Sequence, residues 1–227
     1  MLSIKESLVY KILREAYRWS FDYYLRPFRD LDSRIKRTIQ EHFWEKRLGI
    51  KTAGISPIQE DTTRFKDSIV YVPTPYHVIE GILDRLKFGD DDVFIDLGCG
   101  KGRVVLFVAA KKLKKVIGIE ARKDMFDIAM KNLEKSQVKN TPVEIVNADV
   151  ATFDMREGTT FFMYQPFGIN TLKCVMENIR NSLTVNPRQV LIICYGNINL
   201  GDISDYDKWL EHRNTFKSIS VNIWRSK

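Results

Sequence analysis

The chain has little cysteine, little histidine and no long apolar run, and each shortage excludes something. Three cysteines in 227 residues (Cys99, Cys174 and Cys194) make an odd, scattered set. No disulfide framework or metal-ligand spacing comes from them, and such sparse use fits a reducing compartment. The three histidines, His42, His77 and His212, lie far apart in sequence and form no metal constellation, so no metal is expected. The longest uncharged apolar run, Val104 to Ala110, is far too short to span a membrane. The first residues, MLSIKESLVYKILREAY, are broken by Lys5, Glu6, Lys11, Arg14 and Glu15, and so lack the apolar centre of a signal peptide. A soluble, cytoplasmic protein with no membrane association is expected.

What is present is ordinary for a globular chain: 44% hydrophobic, 29% charged and 11% aromatic residues, with 12 Gly and 7 Pro. A chain of this length buries roughly 70% of its unfolded surface and needs no covalent staple. The net charge is +7. Residues 1–56 carry 12 Lys/Arg against 7 Asp/Glu, whereas the remaining 171 residues carry 24 against 22. That basic N-terminal quarter suits an acidic partner, nucleic acid above all, or is simply a solvated helical face.

Two helices are expected first. Ser3 and Glu6 have capping-box spacing, and Leu8, Ile12, Leu13, Ala16, Tyr17, Phe21 and Leu25 follow as one apolar stripe. After Pro27 a second helical pattern begins near Ser33 with Ile35, Ile39, Phe43 and Trp44, and Gly49 is its expected C-cap. Residues 49–72 read as a linker or lid. Thr74-Pro75 then offers a hydroxyl N-cap and a first-turn proline to a helix that Gly89 would end.

From Asp92 strands and helices alternate. Strands are expected at Val93–Asp96, Val116–Glu120, Val143–Asn147, Phe161–Gln165 and Gln189–Tyr195, with helices at Gly102–Lys112, Arg122–Ser136 and Asn170–Leu183 between them. A short helix near Tyr206–Glu211 and one last strand, Phe216–Trp224, complete the pattern. Repeated βα units give an α/β fold: a Rossmann-like, mainly parallel sheet with helices on both faces. The expected division is a helical N-terminal extension over 1–56 and an α/β domain over 57–227. The sheet is expected to have six strands or to end in an irregular hairpin.

Ligands of such sheets bind at the carboxyl ends of the strands. The first strand runs into Asp96-Leu97-Gly98-Cys99-Gly100-Lys101-Gly102-Arg103, a turn whose glycines let the backbone approach a ligand. Three acids accompany it. Asp96, two residues before Gly98, is placed for a cationic amine. Glu120, at the end of the second strand, is placed for both hydroxyls of a ribose, and Asp149, after the third, for an adenine amino group. A nicotinamide dehydrogenase shares the ribose acid. It has no use for Asp96, however, and carries glycine where this chain has Arg103.

In combination DLGCGKGR, VIGIE and NADV resemble the class I S-adenosylmethionine-dependent methyltransferases over Tyr71 to Tyr195. The resemblance implies S-adenosylmethionine as cofactor, held by Asp96, Gly98, Cys99, Gly100, Gly102, Glu120, Ala121, Asp149 and Val150. Cys99 reads equally as small-residue packing in the turn. The fourth strand, Phe161-Phe162-Met163-Tyr164-Gln165-Pro166-Phe167-Gly168, is similar to the Asn/Asp/Ser-Pro-Pro-aromatic motif of methyltransferases acting on planar or amide nitrogens. By that likeness Gln165 and the Pro166 carbonyl would align an acceptor nitrogen, with the ring of Phe167 packed on it. Gln replaces the usual polar residue and one proline is missing, so a nucleobase target is less favoured. A second resemblance, to the histone lysine methyltransferases without a SET domain, rests on Tyr71, Thr74, the glycine turn, GIE and the aromatic fourth strand. It implies that Tyr71 and Thr74 line the cofactor site and that the acceptor is a protein side chain. Methylation of a nucleic-acid base and a non-catalytic cofactor-binding scaffold are the alternatives, and the sequence leaves the oligomeric state open.

Overall fold

The computed structural model describes residues 35–55, 71–196, 200, 208–217 and 221–227. The first expected helix, with Ser3 and Glu6, lies outside these residues, as do 56–70 of the expected linker. Residues 35–48 are helical (α1), and Gly49 follows at φ +74°, the left-handed conformation that ends helices. The chain divides into two compact units, Met1–Phe43 and Trp44–Lys227. In the described part of the first, Arg37 pairs with Glu41 one turn on, and Ile35 and Ile39 are exposed.

The second unit contains helices α2 (Tyr76–Arg85), α3 (Arg103–Val108), α4 (Lys123–Lys135) and α5 (Ile169–Val185). Its strands are β1 (Val93–Leu97), β2 (Lys115–Ile119), β3 (Val143–Val146), β4 (Thr160–Tyr164), β5 (Leu191–Tyr195), β6 (Leu210–Phe216) and β7 (Val221–Ser226). They form one seven-stranded sheet in the order β3-β2-β1-β4-β5-β7-β6. The first five strands pair in parallel, and β7 and β6 are antiparallel. The chain leaves β1 for β2 on one side and returns to β4 on the other, so the topological switch lies between β1 and β4.

Alternate residues of each buried strand face opposite layers. Phe94, Val116, Phe162 and Ile193 meet α2, α3 and Ala129 of α4, joined by Leu48 and Ile50. Ile95, Ile117, Phe161 and Ile192 meet Leu172, Val175, Met176 and Ile179 of α5. The sheet is therefore apolar on both faces, as a parallel sheet between helix layers must be. Among the described residues no helix is long and apolar enough to cross a membrane.

Three local expectations are corrected. Thr74 does not cap α2: Pro75 holds the N-cap position without a side-chain bond, and Thr74 is buried in the wall of the cavity described below. The helix also ends earlier, at Arg85, with Leu86 as its C-cap; the Gly89 amide instead donates to Asp92. The expected helix near Tyr206–Glu211 includes Leu210 and Glu211, which are strand. Of the two endings expected for the sheet, six strands or an irregular hairpin, it has the second. Together β6 and β7 make an antiparallel pair with a register shift at His212/Asn214. Strand β6 reads Leu-Glu-His-Arg-Asn-Thr-Phe and is mostly exposed, so it lacks the alternation that marks a half-buried strand. Charges such as Glu211 and Arg213 are what a sheet edge carries to discourage pairing with other chains.

Candidate active site

A cavity of about 550 Å³ opens at the carboxyl ends of β1, β2 and β4, beside the switch point. Its floor is the turn after β1. The amides of Gly98 and Cys99 both donate to the Ile119 carbonyl at the end of β2, which fixes the turn against the neighbouring strand. Gly98, Gly100 and Gly102 all have left-handed φ, of +89°, +54° and +84°. At Gly100 the need for glycine is steric as well: a β-carbon would lie 2.3 Å from a ring carbon of Tyr71. Tyr71 therefore lies directly on the turn, with its hydroxyl donating to the Thr52 carbonyl at 2.8 Å. Burial pushes that phenol far above its ordinary range, so it stays a neutral donor.

Two carboxylates occupy the floor. Asp96 is 3% exposed, and its carboxylate makes no hydrogen bond to any described residue. Burial, then the neighbouring Glu120, raises its pKa well above the usual carboxylate value. Glu120 accepts the Gly100 amide on one oxygen and the Arg122 amide on the other, each at 2.8 Å. Its pKa is also raised, by burial first, with the two amides pulling the other way. The Arg122 guanidinium also favours the ionised form of Glu120, whereas no cation acts on Asp96. A buried carboxyl in such a place stays protonated until a cation comes beside it. The Cys99 thiol is pushed up by burial and by both acids, which makes it packing and not a nucleophile.

The ends of β2 and β3 are tied by Asn147, whose side-chain amide donates to the carbonyls of Glu120 and Ala121. Asp149 is exposed and accepts the Ala151 amide, in a turn beside Val150. Arg122 is held against Asp124 by two hydrogen bonds, Nε–Oδ1 at 3.2 Å and Nη2–Oδ2 at 2.8 Å.

Beside the turn, β4 ends in Tyr164-Gln165-Pro166-Phe167, and Pro166 lies against Gly98. Gln165 has φ +40° and is the one non-glycine residue with positive φ among the described residues. Such a conformation costs of order 1–3 kcal/mol and persists where its surroundings impose it, often at functional sites. Its side-chain amide makes no hydrogen bond to a described residue. Tyr164 and Phe162 also line the cavity, and Tyr164 packs on Tyr195 of β5 with ring centroids 4.3 Å apart.

Of the residues expected from sequence, Tyr71, Thr74, Asp96, Gly98, Cys99, Gly100, Glu120, Ala121, Asp149, Val150, Gln165, Pro166 and Phe167 all line this one cavity. Gly102 does not. It is the N-cap of α3 and faces Ala129 and Ile145.

The sequence reading missed what braces the wall. Arg103, 2% exposed, donates to the Thr52 hydroxyl at 2.7 Å, the Thr74 carbonyl at 3.2 Å and Glu45 at 3.3 Å, and lies over the Tyr76 ring. Glu45 Oε1 also accepts from the amides of Thr52 and Ala53 and from the Thr52 hydroxyl. No local signal marks these partners, because Glu45 and Arg103 are 58 residues apart. Met125, Asn170 and Thr171 also line the cavity without a motif to announce them.

Comparisons with known proteins bear on the family and the fold. The family described as histone methylation protein DOT1 matches residues 55–185, more than half of the chain. A protein-lysine N-methyltransferase of Saccharolobus islandicus (strain REY15A) is 30% identical over 144 residues, covering 58% of this chain and 89% of that protein. The H3 lysine-79-specific histone-lysine N-methyltransferase of Dictyostelium discoideum is 36% identical over 99 residues, 38% of this chain but 5% of that far longer one. Among solved structures, the human methyltransferase 10 domain containing protein shares the fold, with a TM-score of 0.55 at 16% identity over 84% of this chain and 95% of its own.

Proposed function

Because the chain belongs to the DOT1 histone-methylation family and is an S-adenosylmethionine-dependent methyltransferase, we propose that its acceptor is the side-chain amine of a protein lysine. One observation carries the reading: an unbonded amide, on a residue held at φ +40°, stands among aromatic rings in the cavity that the buried acids also line. When bound, the cofactor supplies a methyl on a sulfonium, which the nitrogen lone pair takes as the C–S electrons pass to sulfur. Asp96 would hold the cofactor's ammonium, Glu120 its ribose hydroxyls and Asp149 its adenine amino group. The glycine turn, with Cys99, Ala121 and Val150, would shape the adenosine pocket under Tyr71 and Thr74. Gln165 Oε1 and the Pro166 carbonyl would accept the amine's remaining N–H bonds and so turn its lone pair toward the methyl. Phe167, Tyr164 and Phe162 would pack on the aliphatic stem. The amine reaches this geometry after losing its ammonium proton to water. Alignment of this kind supplies much of the acceleration in an in-line transfer.

The test uses radiolabelled S-adenosylmethionine with three acceptors: core histones, core histones with acetylated lysines, and total cellular RNA. Label is expected on the untreated histones, removed by protease and recovered as methyl-lysine after hydrolysis. Label that survives lysine acetylation, or that enters RNA and is removed by nuclease, would overturn the lysine reading. Label in no acceptor, with cofactor bound, would favour a scaffold.

A further inference from the structure

We propose that Gly196, at the end of β5, is a positioning residue that sets where the Gln165 amide rests. The proposal deepens the reading of Gln165 as the group that aligns the acceptor nitrogen, and it rests on that reading. Strands β4 and β5 pair in parallel up to Tyr164 and Tyr195, so Gln165 and Gly196 are the next residues of two adjacent strands. Both leave the sheet in left-handed conformations, at φ +40° and +88°. A β-carbon on Gly196 would lie 2.9 Å from Gln165 Oε1, 3.0 Å from its Cδ and 3.3 Å from its Cγ. The glutamine side chain thus lies where a side chain at 196 would begin.

The other neighbour of β4 does the same for the next residue. A β-carbon on Gly98, just after β1, would lie 2.5 Å from Pro166 Cβ. In the order β1-β4-β5 the Gln165-Pro166 pair is seated between two glycines, one from each flanking strand. Pro166 fixes the backbone after Gln165, and no described residue holds the amide by a hydrogen bond. The open face of Gly196 is then what sets the side chain's resting place. The three atoms nearest to a new β-carbon all belong to the flexible Gln165 side chain, so the amide would shift before the backbone does.

A glycine at φ +88° is also favoured by its backbone alone, and Gly54 separates the two effects. It has φ +85° with nothing within 4 Å of its missing β-carbon. Gly54→Ala therefore carries a similar backbone strain without the contact.

The experiment compares wild type, Gln165→Ala, Gly196→Ala, the double variant and Gly54→Ala. It measures single-turnover methyl transfer to core histones, the S-adenosylhomocysteine dissociation constant and the melting temperature. Gln165→Ala is expected to slow transfer on the order of 100-fold. Gly196→Ala should slow it about 10- to 100-fold, the scale of a misplaced aligning group. Cofactor affinity should stay within about 2-fold in both, and the double variant should match Gln165→Ala within about 2-fold, since the two act as one unit. Gly54→Ala should lose thermal stability comparably but keep its rate. Should Gly196→Ala fail to fold alone, the double variant, which vacates the space, should regain folding and cofactor binding. Normal transfer in Gly196→Ala, rate losses that multiply in the double variant, or a double variant that stays unfolded would each overturn the proposal. Normal transfer in Gln165→Ala would instead remove the alignment reading, and the proposal with it.

Discussion

Replacing Asp96 with Asn should strengthen the empty fold and weaken its hold on cofactor. The carboxyl is 3% exposed, without a hydrogen-bond partner among the described residues and beside a second buried acid. Its pKa in the folded protein is raised, so the folded state binds the proton more tightly than the unfolded chain does. The resulting cost to folding is absent below the ordinary carboxylate range and grows as pH rises through it toward the raised value. Asn has the same shape and no charge to bury. Relieving an uncompensated buried group is worth about 1–2 kcal/mol. For a domain of this size that is a rise of about 2–8 °C in melting temperature. Loss of the charge-assisted contact to the cofactor amine costs about 1.5–3 kcal/mol, or roughly 10- to 150-fold in affinity. Wild-type affinity should also climb with pH above the ordinary carboxylate range, because cofactor binding restores the ionised carboxylate and releases a proton. Thermal unfolding with and without S-adenosylhomocysteine, and calorimetry at several pH values in buffers of different ionisation enthalpy, measure all of this. A variant that melts lower when empty yet binds S-adenosylhomocysteine as wild type does would refute the reasoning.

Two other perturbations follow from the wall of the cavity. Arg103→Met leaves Glu45 short of its cation and should lower the melting temperature by about 10 °C, since breaking a buried pair costs about 3–5 kcal/mol; Arg103→Lys should recover little, because one ammonium cannot reach the Thr52, Thr74 and Glu45 acceptors together. An unchanged melting curve for Arg103→Met would show the pair to be dispensable. Removing residues 1–56 deletes Glu45, Thr52, Leu48 and Ile50, the last two 4% and 3% exposed. With about 2–5 kcal/mol for each large core side chain, that loss approaches the whole stability of a domain, so the 57–227 fragment is expected not to fold. A fragment starting at Trp44 should keep its circular dichroism and S-adenosylhomocysteine binding; equal behaviour of the two fragments would contradict this account.

The sequence by itself determined the parts of this protein whose physics is local. Alternating βα units dictated a parallel sheet, because each apolar strand needs a helix on either side. The glycine turn was legible because left-handed backbone and close approach demand glycine, and the acids because each stands at a strand's carboxyl end. That is why Asp96, Glu120, Asp149 and Gln165, 69 residues apart at the extremes, could be named before the cavity that joins them was seen. What only the tertiary structure decided depends on groups distant in the chain. Strand β6 exists because β7 offers it an edge, not because its own polar residues alternate. Thr74 turns to the cavity wall, its carbonyl taken by Arg103, and so does not cap α2. Glu45 finds its cation 58 residues on, and the Gln165 side chain and Pro166 lie where Gly196 and Gly98, from the two flanking strands, carry no β-carbon. Periodicity reports which face a residue presents; it carries no information about which distant partner waits on that face, and those partners shape the wall of this cavity.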